Sequence, residues 1–294
     1  MIRVPWSGPT VQLLFRPLLL VYQMPKVGSQ SIEATLNESK FPDPILRFHY
    51  LSEAFGDTLR HGLASDRPGV LWKQNAIQQL DFIQKTGSIL RWRKRLALCG
   101  LRIPKVNVVT GVRDLLSLVL ASVFENYSYF ANDFQSMTVE RCREALLHPK
   151  TFKTLKDWFD LELKGFTGID VFQRQFPTNM NYTIHENRFA RVLVYRFECL
   201  PSLPALLSRF LRWPIARLVT CNSSGSKEYF DQYNFVRREL RLPKDFVKSI
   251  CDFKMMRHFF SLAERKQICA RWAEADAEVM APLVPEAKRQ LCTA

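Results

Sequence analysis

A lysine, a glycine and two serines lie together where an apolar run of the chain gives way to a helical pattern. The apolar run, residues 18–24 (LLLVYQM), predicts a buried strand, and residues 29–39 have the apolar spacing of a helix. At the start of a helix the backbone N–H groups are unpaired and the helix dipole is positive, so such a junction can bind an anion. We predict a phosphate-binding loop formed by Lys26, Val27, Gly28, Ser29, Gln30 and Ser31.

The residue types of this loop suit a phosphate-like group. Lys26 supplies a charge, Ser29 and Ser31 supply hydroxyl donors, and Gly28 lets the backbone approach a bulky anion closely. The order is not that of the Walker A motif, in which the lysine directly follows the last glycine, because Lys26 precedes Gly28 by two positions. A helix cap beside an exposed lysine is the alternative without a ligand.

A second junction of the same kind follows residues 106–112 (VNVVTGV), a run of β-branched residues that predicts another buried strand. Arg113 comes directly after it, where a planar guanidinium could hold a phosphate through two hydrogen bonds. Taken alone, Arg113 would be assigned to a salt bridge with a neighbouring carboxylate. The presence of the Lys26 loop earlier in the chain favours ligand binding by Arg113 over a salt bridge.

Strand and helix patterns alternate along the chain. Further strands are predicted at residues 45–51 and 191–197, and helices at residues 75–101, 115–129, 138–147 and 151–164. From residue 202 the pattern is mostly helical, with breaks at Pro214, near Gly225 and at Pro243. This alternation predicts an α/β fold: a P-loop-like central parallel β-sheet flanked by helices, with ligands bound at the carboxyl ends of the strands. We predict one domain over residues 1–294, with a core at about 18–200 and a helix-rich C-terminal part at about 201–294.

The charge and composition limit the partners. With 42 lysines and arginines against 28 aspartates and glutamates, the net charge is +14, which predicts an anionic partner: nucleic acid, an acidic membrane surface, a nucleotide or a polyanionic glycan. A content of 47% hydrophobic residues excludes a wholly disordered chain. The cysteines and histidines lack metal-binding spacing, so we expect no metal and mostly free thiols. No stretch has the pattern of a membrane span or a signal peptide, so we predict a cytoplasmic protein, at most peripheral to a membrane.

The order P-K-x-G-S-x-S at residues 25–31 resembles the 5′-phosphosulfate loop of sulfotransferases that use PAPS (3′-phosphoadenosine 5′-phosphosulfate). Their 3′-phosphate motif is approximately R-D-P-x-x-R-x-x-S-x-F, and the chain matches it at Arg113 and Asp114. Ser122 stands one residue after the expected serine, and a small helix shift would let it serve. The positions of the proline, the second arginine and the serine hold Leu115, Leu118 and Ala121, which weakens 3′-phosphate recognition or moves it to other residues.

Segments elsewhere are similar to one sulfotransferase-like bacterial family, the capsular polysaccharide synthesis proteins. They run in the order of that family and cover most of residues 18–275: FHYL at 48–51, the segment 112–126 ending in FEN, WFD at 158–160, GIDV at 168–171, VLVYRFECL at 192–200, the segment 222–233, and RHFFS at 257–261. Only the Lys26 loop and the Arg113 region carry clear chemical meaning.

The resemblance implies transfer of a sulfuryl group from PAPS to a hydroxyl or amine of a carbohydrate or polysaccharide acceptor, without a metal. Lys26 would neutralise charge on the leaving oxygen, and the N–H groups of residues 28–31 would hold the 5′-phosphate. Arg113, with Ser122 or Ser117, would hold the 3′-phosphate.

A general base must take the proton of the acceptor. His49 is the first candidate, because it lies at the end of the second predicted strand and imidazole titrates near neutrality. An interpretation of equal weight is that His49 is a core or surface histidine without a catalytic role. Glu125 is the second candidate, though it could simply cap or pair near its helix end, and Asp170 is a distant third.

Two aromatic features could contact an acceptor. Trp92 lies among four basic residues and could face an acidic glycan or a nucleic acid, although a solvated amphipathic helix is the favoured interpretation. Tyr229 and Tyr233, four residues apart, are assigned to packing.

Two other functions remain open alongside the sulfotransferase. A nucleotide-using P-loop-like kinase would need Mg²⁺, and the Walker A order is missing. A non-catalytic polyanion-binding protein on the same fold would suit the +14 charge and the altered Arg113 motif. Nucleic acid is not the favoured partner.

Overall fold

A five-stranded sheet forms the centre of the structure, a computed structural model that describes residues 13–52, 55–56, 70–127, 133–221, 225 and 227–275. The strands are β1 (Leu18–Tyr22), β2 (Ile45–Phe48), β3 (Val106–Val112), β4 (Tyr182–Glu186) and β5 (Ala190–Arg196). Their order across the sheet is β2-β1-β3-β5-β4, with β4 antiparallel to β5 at one edge and the other pairs parallel.

Helices connect the strands and make up most of the described part after β5. The α-helices are α1 (Ser29–Glu38), α2 (Val70–Leu98), α3 (Leu115–Glu125), α4 (Val139–Leu147), α5 (Leu203–Leu211), α6 (Phe230–Glu239), α7 (Lys244–Cys251), α8 (Lys254–Phe259) and α9 (Leu262–Trp272). Shorter helical turns are the π-helix Phe159–Lys164, which continues into Gly165–Thr167, and the 3₁₀ turns Val171–Gln173 and Phe197–Ser202.

The sheet is covered on both faces, because alternate residues of its strands belong to different apolar clusters. On β1, Leu18 and Leu20 pack into the larger cluster with α3, and Leu19 and Val21 pack into the smaller one with α1 and α5. This arrangement is the one that parallel strands require when both of their faces are buried. The predicted α/β class, with a mostly parallel sheet, is confirmed.

Two features of the secondary structure differ from the prediction. Strand β4 was not predicted. The predicted helix over residues 151–164 is wrong: residues 151–157 form turns, and a π-helix follows from Phe159. The physical reason is tertiary, because the Trp158 indole N–H donates to the His49 carbonyl (2.8 Å) and the Glu162 carboxylate accepts from Tyr22 (2.6 Å). The last residues of the predicted helix 115–129 and the predicted helical pattern over 276–294 lie outside the described residues.

Among the described residues, no helix combines the length and the apolar character that crossing a membrane requires.

The Tyr195 side chain of β5 packs over Gly111 of the neighbouring strand β3 and reaches the loop that follows β1. Gly111 of β3 is paired with Tyr195 of β5, and a Cβ atom at Gly111 would lie 2.7 Å from the Tyr195 ring. The Tyr195 hydroxyl donates to the Val27 carbonyl (2.5 Å) and lies 3.2 Å from the Gln23 side-chain oxygen. Gly111 is therefore required so that a buried tyrosine can hold the Lys26 loop against the sheet.

The substitution Gly111→Ala is expected to destabilise the protein by about 1–3 kcal/mol, because the added methyl group overlaps the buried Tyr195 ring. Tyr195→Phe is expected to cost about 1–2 kcal/mol, because it leaves the Val27 carbonyl without its donor. Urea unfolding measures both. Gly87→Ala, inside α2 with only the flexible end of Arg91 nearby, is the control and should not destabilise. A Gly111→Ala protein as stable as the unmodified one would contradict this account.

Candidate active site

A cavity of about 650 Å³ opens at the carboxyl ends of β1, β2 and β3, and we call it the main cavity. Its lining includes most residues singled out from the sequence, namely Lys26, Gly28, Ser29, Gln30, Ser31, His49, Arg113, Ser122 and Glu125. Lys26, His49 and Arg113 each follow a different parallel strand, and the carboxyl ends of parallel strands meet at one edge of a sheet.

The Lys26 loop leaves the first turn of α1 open to the main cavity. Gly28 is the N-cap of α1 and provides no side-chain cap, and the first intrahelical bond runs from the Ile32 N–H to the Gly28 carbonyl (3.1 Å). The N–H groups of residues 29–31 therefore have no intrahelical acceptor. Lys26 (φ 64°) and Gly28 (φ 88°) both have left-handed backbone conformations, and a Cβ atom at Gly28 would lie 3.1 Å from Leu200. The loop thus presents backbone donors and allows close approach.

Two residues of the loop, Val27 and Ser31, contact other parts of the protein and so leave no side-chain group free to bind a ligand. The Val27 side chain is fully buried in the larger apolar cluster, and its carbonyl accepts from Tyr195. The Ser31 hydroxyl donates to the Cys221 carbonyl (3.2 Å) and accepts from the Cys221 N–H (3.0 Å). The Ser31 hydroxyl, predicted as a ligand donor, is therefore committed to holding the 220–221 wall of the cavity.

The pKa of Lys26 is strongly lowered in the main cavity. Burial first, and then the positive charges of Lys227 and Arg113, lower the pKa of Lys26 to about 8. Its ammonium group forms an ion pair with the Glu125 carboxylate at the end of α3. Lys26 follows β1 and Glu125 ends α3, so this ion pair ties the Lys26 loop to the far end of α3.

Arg113 joins the two strand-to-helix junctions through the backbone. Its Nη1 donates to the Lys26 carbonyl (3.2 Å), and its guanidinium lies 4.5 Å above the Phe197 ring. The following residue, Asp114, caps α3 by accepting from the Ser117 N–H (2.8 Å). The predicted arrangement, in which Lys26 and Arg113 face one cavity, is what the structure has.

Helix α3 brings the position of the motif's serine to the main cavity, but not the position of its second arginine. Ala121 and Ser122 line the cavity, although the Ser122 hydroxyl donates to the Leu118 carbonyl (3.0 Å). Leu118, where the motif has its second arginine, is fully buried in the larger apolar cluster, and Ser117 is buried and does not line the cavity. Position 118 therefore contributes no cation to the main cavity.

Sequence reasoning missed two arginines of the main cavity. Arg47, on β2, lines it and donates to Glu33 of α1 (2.6 Å). Arg237, on α6, also lines it, and its Nε is buried without a hydrogen-bond partner among the described residues. The sequence pattern that could have located Arg237 is helical spacing, because Tyr229, Tyr233 and Arg237 are four residues apart and so lie on one face of a helix. Both tyrosines pack against Phe124 as well as lining the cavity.

The geometry of His49 fixes its tautomer. Its Nδ1 lies 2.7 Å from the Gln23 carbonyl, and because a carbonyl oxygen only accepts, Nδ1 carries the proton and Nε2 keeps its lone pair. Burial first, and then the charges of Arg47 and Lys26, lower the pKa of His49 below its ordinary value, although the bond to Gln23 opposes this. The imidazole is therefore neutral near pH 7 and can accept a proton.

Two other candidates lie elsewhere. Asp170 pairs with Lys164 (2.7 Å) and caps the 3₁₀ turn at Val171, away from the main cavity. The basic cluster around Trp92 is not one exposed face, because Arg93 is fully buried and donates to two backbone carbonyls (2.6 Å each). Trp92 itself is half exposed on α2. Within the part of the chain that the structure describes, no three His, Cys, Asp or Glu residues form a metal-binding group.

Comparison with protein families gives one match. Residues 135–261 match the family described as "Putative capsular polysaccharide synthesis protein". The matched region is less than half of the chain, and it includes α6 with Arg237 but neither the Lys26 loop nor Arg113. Searches of curated proteins and of solved structures found no similar protein. The P-loop-like topology and the single-domain organisation therefore stay predictions.

PAP (adenosine 3′,5′-bisphosphate) serves as an anionic probe of the main cavity. Any affinity for it that depends on the Lys26 charge is expected to be highest near pH 7 and to fall through pH 8, approaching tenfold per pH unit above that. The reason is that the free protein loses the Lys26 proton near pH 8, while the phosphate esters of PAP are already fully ionised above about pH 7. Isothermal calorimetry measures the affinity. Lys26→Arg keeps its charge and should show a flat profile; equal profiles for the two proteins would contradict the role of Lys26.

Proposed function

We propose that the protein is a PAPS-dependent sulfotransferase that transfers a sulfuryl group to a hydroxyl or amine of a carbohydrate or polysaccharide. One observation carries the proposal: Arg113 donates to the backbone carbonyl of Lys26, so two strand-to-helix junctions suited to anions open into the same cavity. The volume of about 650 Å³ lies within the range of about 300–1,000 Å³ that is usual for ligand pockets.

The residues present fit a donor with two anionic ends. The open first turn of α1 and the Lys26 ammonium suit the 5′-phosphosulfate, because unpaired N–H groups and a nearby cation stabilise such an anion. Arg113 suits the 3′-phosphate. Leu118 removes the second arginine of the sulfotransferase motif, and we propose that Arg237 replaces it, because its guanidinium reaches the same cavity from α6 with an unpartnered Nε.

The transfer joins the acceptor oxygen or nitrogen to sulfur and breaks the bond from sulfur to the bridging oxygen. The electron pair of the broken bond stays on the phosphate oxygen, where Lys26 neutralises the growing charge. The acceptor loses a proton, and His49 Nε2 takes it, because that nitrogen is unprotonated and His49 lines the main cavity. The transition state is loose by analogy with phosphoryl transfer, so positioning and electrostatics supply most of the catalysis.

The family match supports the acceptor class. Its description concerns the synthesis of capsular polysaccharide, and its region contributes the α6 side of the main cavity. The donor and the reaction rest on the resemblance of the two junctions to sulfotransferase motifs, and both junctions lie outside the matched region. The two parts of the proposal therefore rest on independent observations, and each can fail alone.

The direct test is transfer of radiolabelled sulfate from PAPS to a panel of glycans. Lys26→Ala is expected to lower kcat by about 100-fold or more, because it removes the cation beside the leaving oxygen. Lys40→Ala is a matched control, since Lys40 also has a left-handed backbone (φ 53°) but does not line the main cavity, and it should stay within about twofold. Absence of transfer to every glycan, together with no binding of PAP, would refute the proposal.

Thermal unfolding with added ligands separates the competing functions. Stabilisation by PAP without metal, lost in Lys26→Ala, is expected. Stabilisation that needs ATP and Mg²⁺ would indicate a kinase. A response to polyanions alone would indicate a non-catalytic binding protein.

The pH dependence of kcat/KM identifies the base. The rate is expected to rise with pH through a pKa below 6.5, because only neutral His49 accepts a proton and its pKa is lowered. It is expected to fall again above about pH 8, because the free protein then loses the Lys26 proton. His49→Gln should lower kcat by about 100-fold or more and abolish the rise. If Glu125→Gln abolishes the rise and His49→Gln leaves it intact, Glu125 is the base instead.

A further inference from the structure

A second cavity, of about 470 Å³, adjoins the main cavity and is lined almost entirely by arginines. We call it the arginine cavity, and its lining residues are Asn234, Arg237, Arg238, Arg241 and Arg271. Arg237 lines both cavities. Among the described residues that line the arginine cavity there is no carboxylate, although Glu239 beside it pairs with Arg238.

The helical period of α6 explains how one helix serves both cavities. Its positions 234, 237, 238 and 241 have the i, i+3, i+4, i+7 spacing that places side chains on one helical face, although Arg241 lies just past the helix end. Positions 229, 233 and 237 follow the neighbouring face toward the main cavity. Arg237 stands where the two faces meet.

A short parallel bridge holds the far wall of the arginine cavity. Leu242 pairs with Ala273: the Leu242 N–H donates to the Trp272 carbonyl (2.8 Å), and the Glu274 N–H donates to the Leu242 carbonyl (3.0 Å). Arg241 and Arg271 directly precede the bridged segments, so both guanidiniums extend from a fixed backbone. Trp272 is fully buried beside them and lies 5.4 Å from the Arg271 guanidinium carbon.

The arginines of this cavity are only partly neutralised by neighbouring groups. Arg238 pairs with Glu239 (2.6 Å), and the Arg241 guanidinium donates to the backbone carbonyls of Arg238 (2.7 Å) and Leu240 (2.9 Å). Burial, and next the charge of Arg237, lower the pKa of Arg271. Asp114 and Tyr233 act in the opposite direction, and the charge of Arg113 lowers this pKa further. A bound anion would relieve this mutual repulsion.

We propose that the arginine cavity binds an anionic group of the acceptor, so that the substrate is an acidic polysaccharide whose reacting hydroxyl or amine reaches the main cavity past Arg237. This inference rests on the proposed function. Carboxylate and phosphate groups share the bidentate geometry that guanidinium recognises, so either could supply the charge. A glycan is favoured over single-stranded nucleic acid because no aromatic side chain for base stacking lines the cavity among the described residues.

The test measures binding of defined oligosaccharides to the full-length protein at about 0.15 M salt, with and without saturating PAP. The probes are a tetrasaccharide containing glucuronic acid, a neutral tetramer of N-acetylglucosamine, a glycerol phosphate oligomer and an oligonucleotide of equal charge. The acidic tetrasaccharide, the phosphate oligomer or both should bind, and the neutral tetramer should not. Comparing the two acidic probes shows which anion the cavity prefers.

Arg238→Gln is expected to weaken binding of the preferred acidic probe by about tenfold, and R238Q/R241Q by more, while PAP affinity changes less than about twofold. Arg217→Gln is the matched control, because Arg217 is 77% exposed and pairs with Glu38 much as Arg238, 72% exposed, pairs with Glu239. The control should leave binding unchanged. A urea unfolding curve for each variant verifies that it is folded.

Three outcomes would overturn the inference while leaving the proposed function intact. They are equal binding of neutral and acidic tetrasaccharides, unchanged binding in R238Q/R241Q, and a large loss of PAP affinity in that variant, which would give the cavity to the donor. Preference for the oligonucleotide would replace the glycan with nucleic acid. Failure of PAP to bind the unmodified protein refutes the proposed function instead, and acidic-glycan binding lost in the variants would then identify a polyanion-binding cavity.

Discussion

The hydrogen bond from the buried Tyr195 hydroxyl to the Val27 carbonyl is the contact on which the geometry of the main cavity depends. It fixes the middle of a loop in which two residues, Lys26 and Gly28, have left-handed backbones, a conformation that costs about 1–2 kcal/mol for a residue with a side chain. The tyrosine reaches the loop only because β3 has a glycine opposite it. Once the loop is fixed, its carbonyl at Lys26 orients Arg113, and its N–H groups face the cavity.

A second buried contact fixes the wall that carries His49. The Glu162 carboxylate, almost fully buried, accepts from the Tyr22 hydroxyl and from the N–H groups of Leu51 (2.8 Å) and Ser52 (2.9 Å). The Trp158 indole holds the His49 carbonyl from the same side. Because a buried carboxylate is stable only when its oxygens are satisfied, this cluster resists rearrangement and keeps the imidazole at its position beside Gln23.

The sequence predicted the parts of the fold and site that depend on local pattern. Apolar runs located β1, β2, β3 and β5, and the rule that parallel strands bind ligands at their carboxyl ends brought Lys26, His49 and Arg113 together. What it could not predict depends on long-range contacts. Arg93 sits in a basic run, yet its guanidinium is buried against two carbonyls, and nothing local distinguishes it from its exposed neighbours. Arg237 reaches the cavity only because α6 packs beside α3.

The ion pair between Lys26 and Glu125 has a consequence for selectivity. Because the Lys26 ammonium is already paired with the Glu125 carboxylate, it binds chloride or inorganic phosphate weakly. Each such ion must compete with a carboxylate that belongs to the same protein. A molecule with two separated negative ends can anchor first at the guanidinium side and then displace the glutamate. The carboxylate of Glu125 thus lowers the affinity of Lys26 for small anions more than for larger, multiply charged ones.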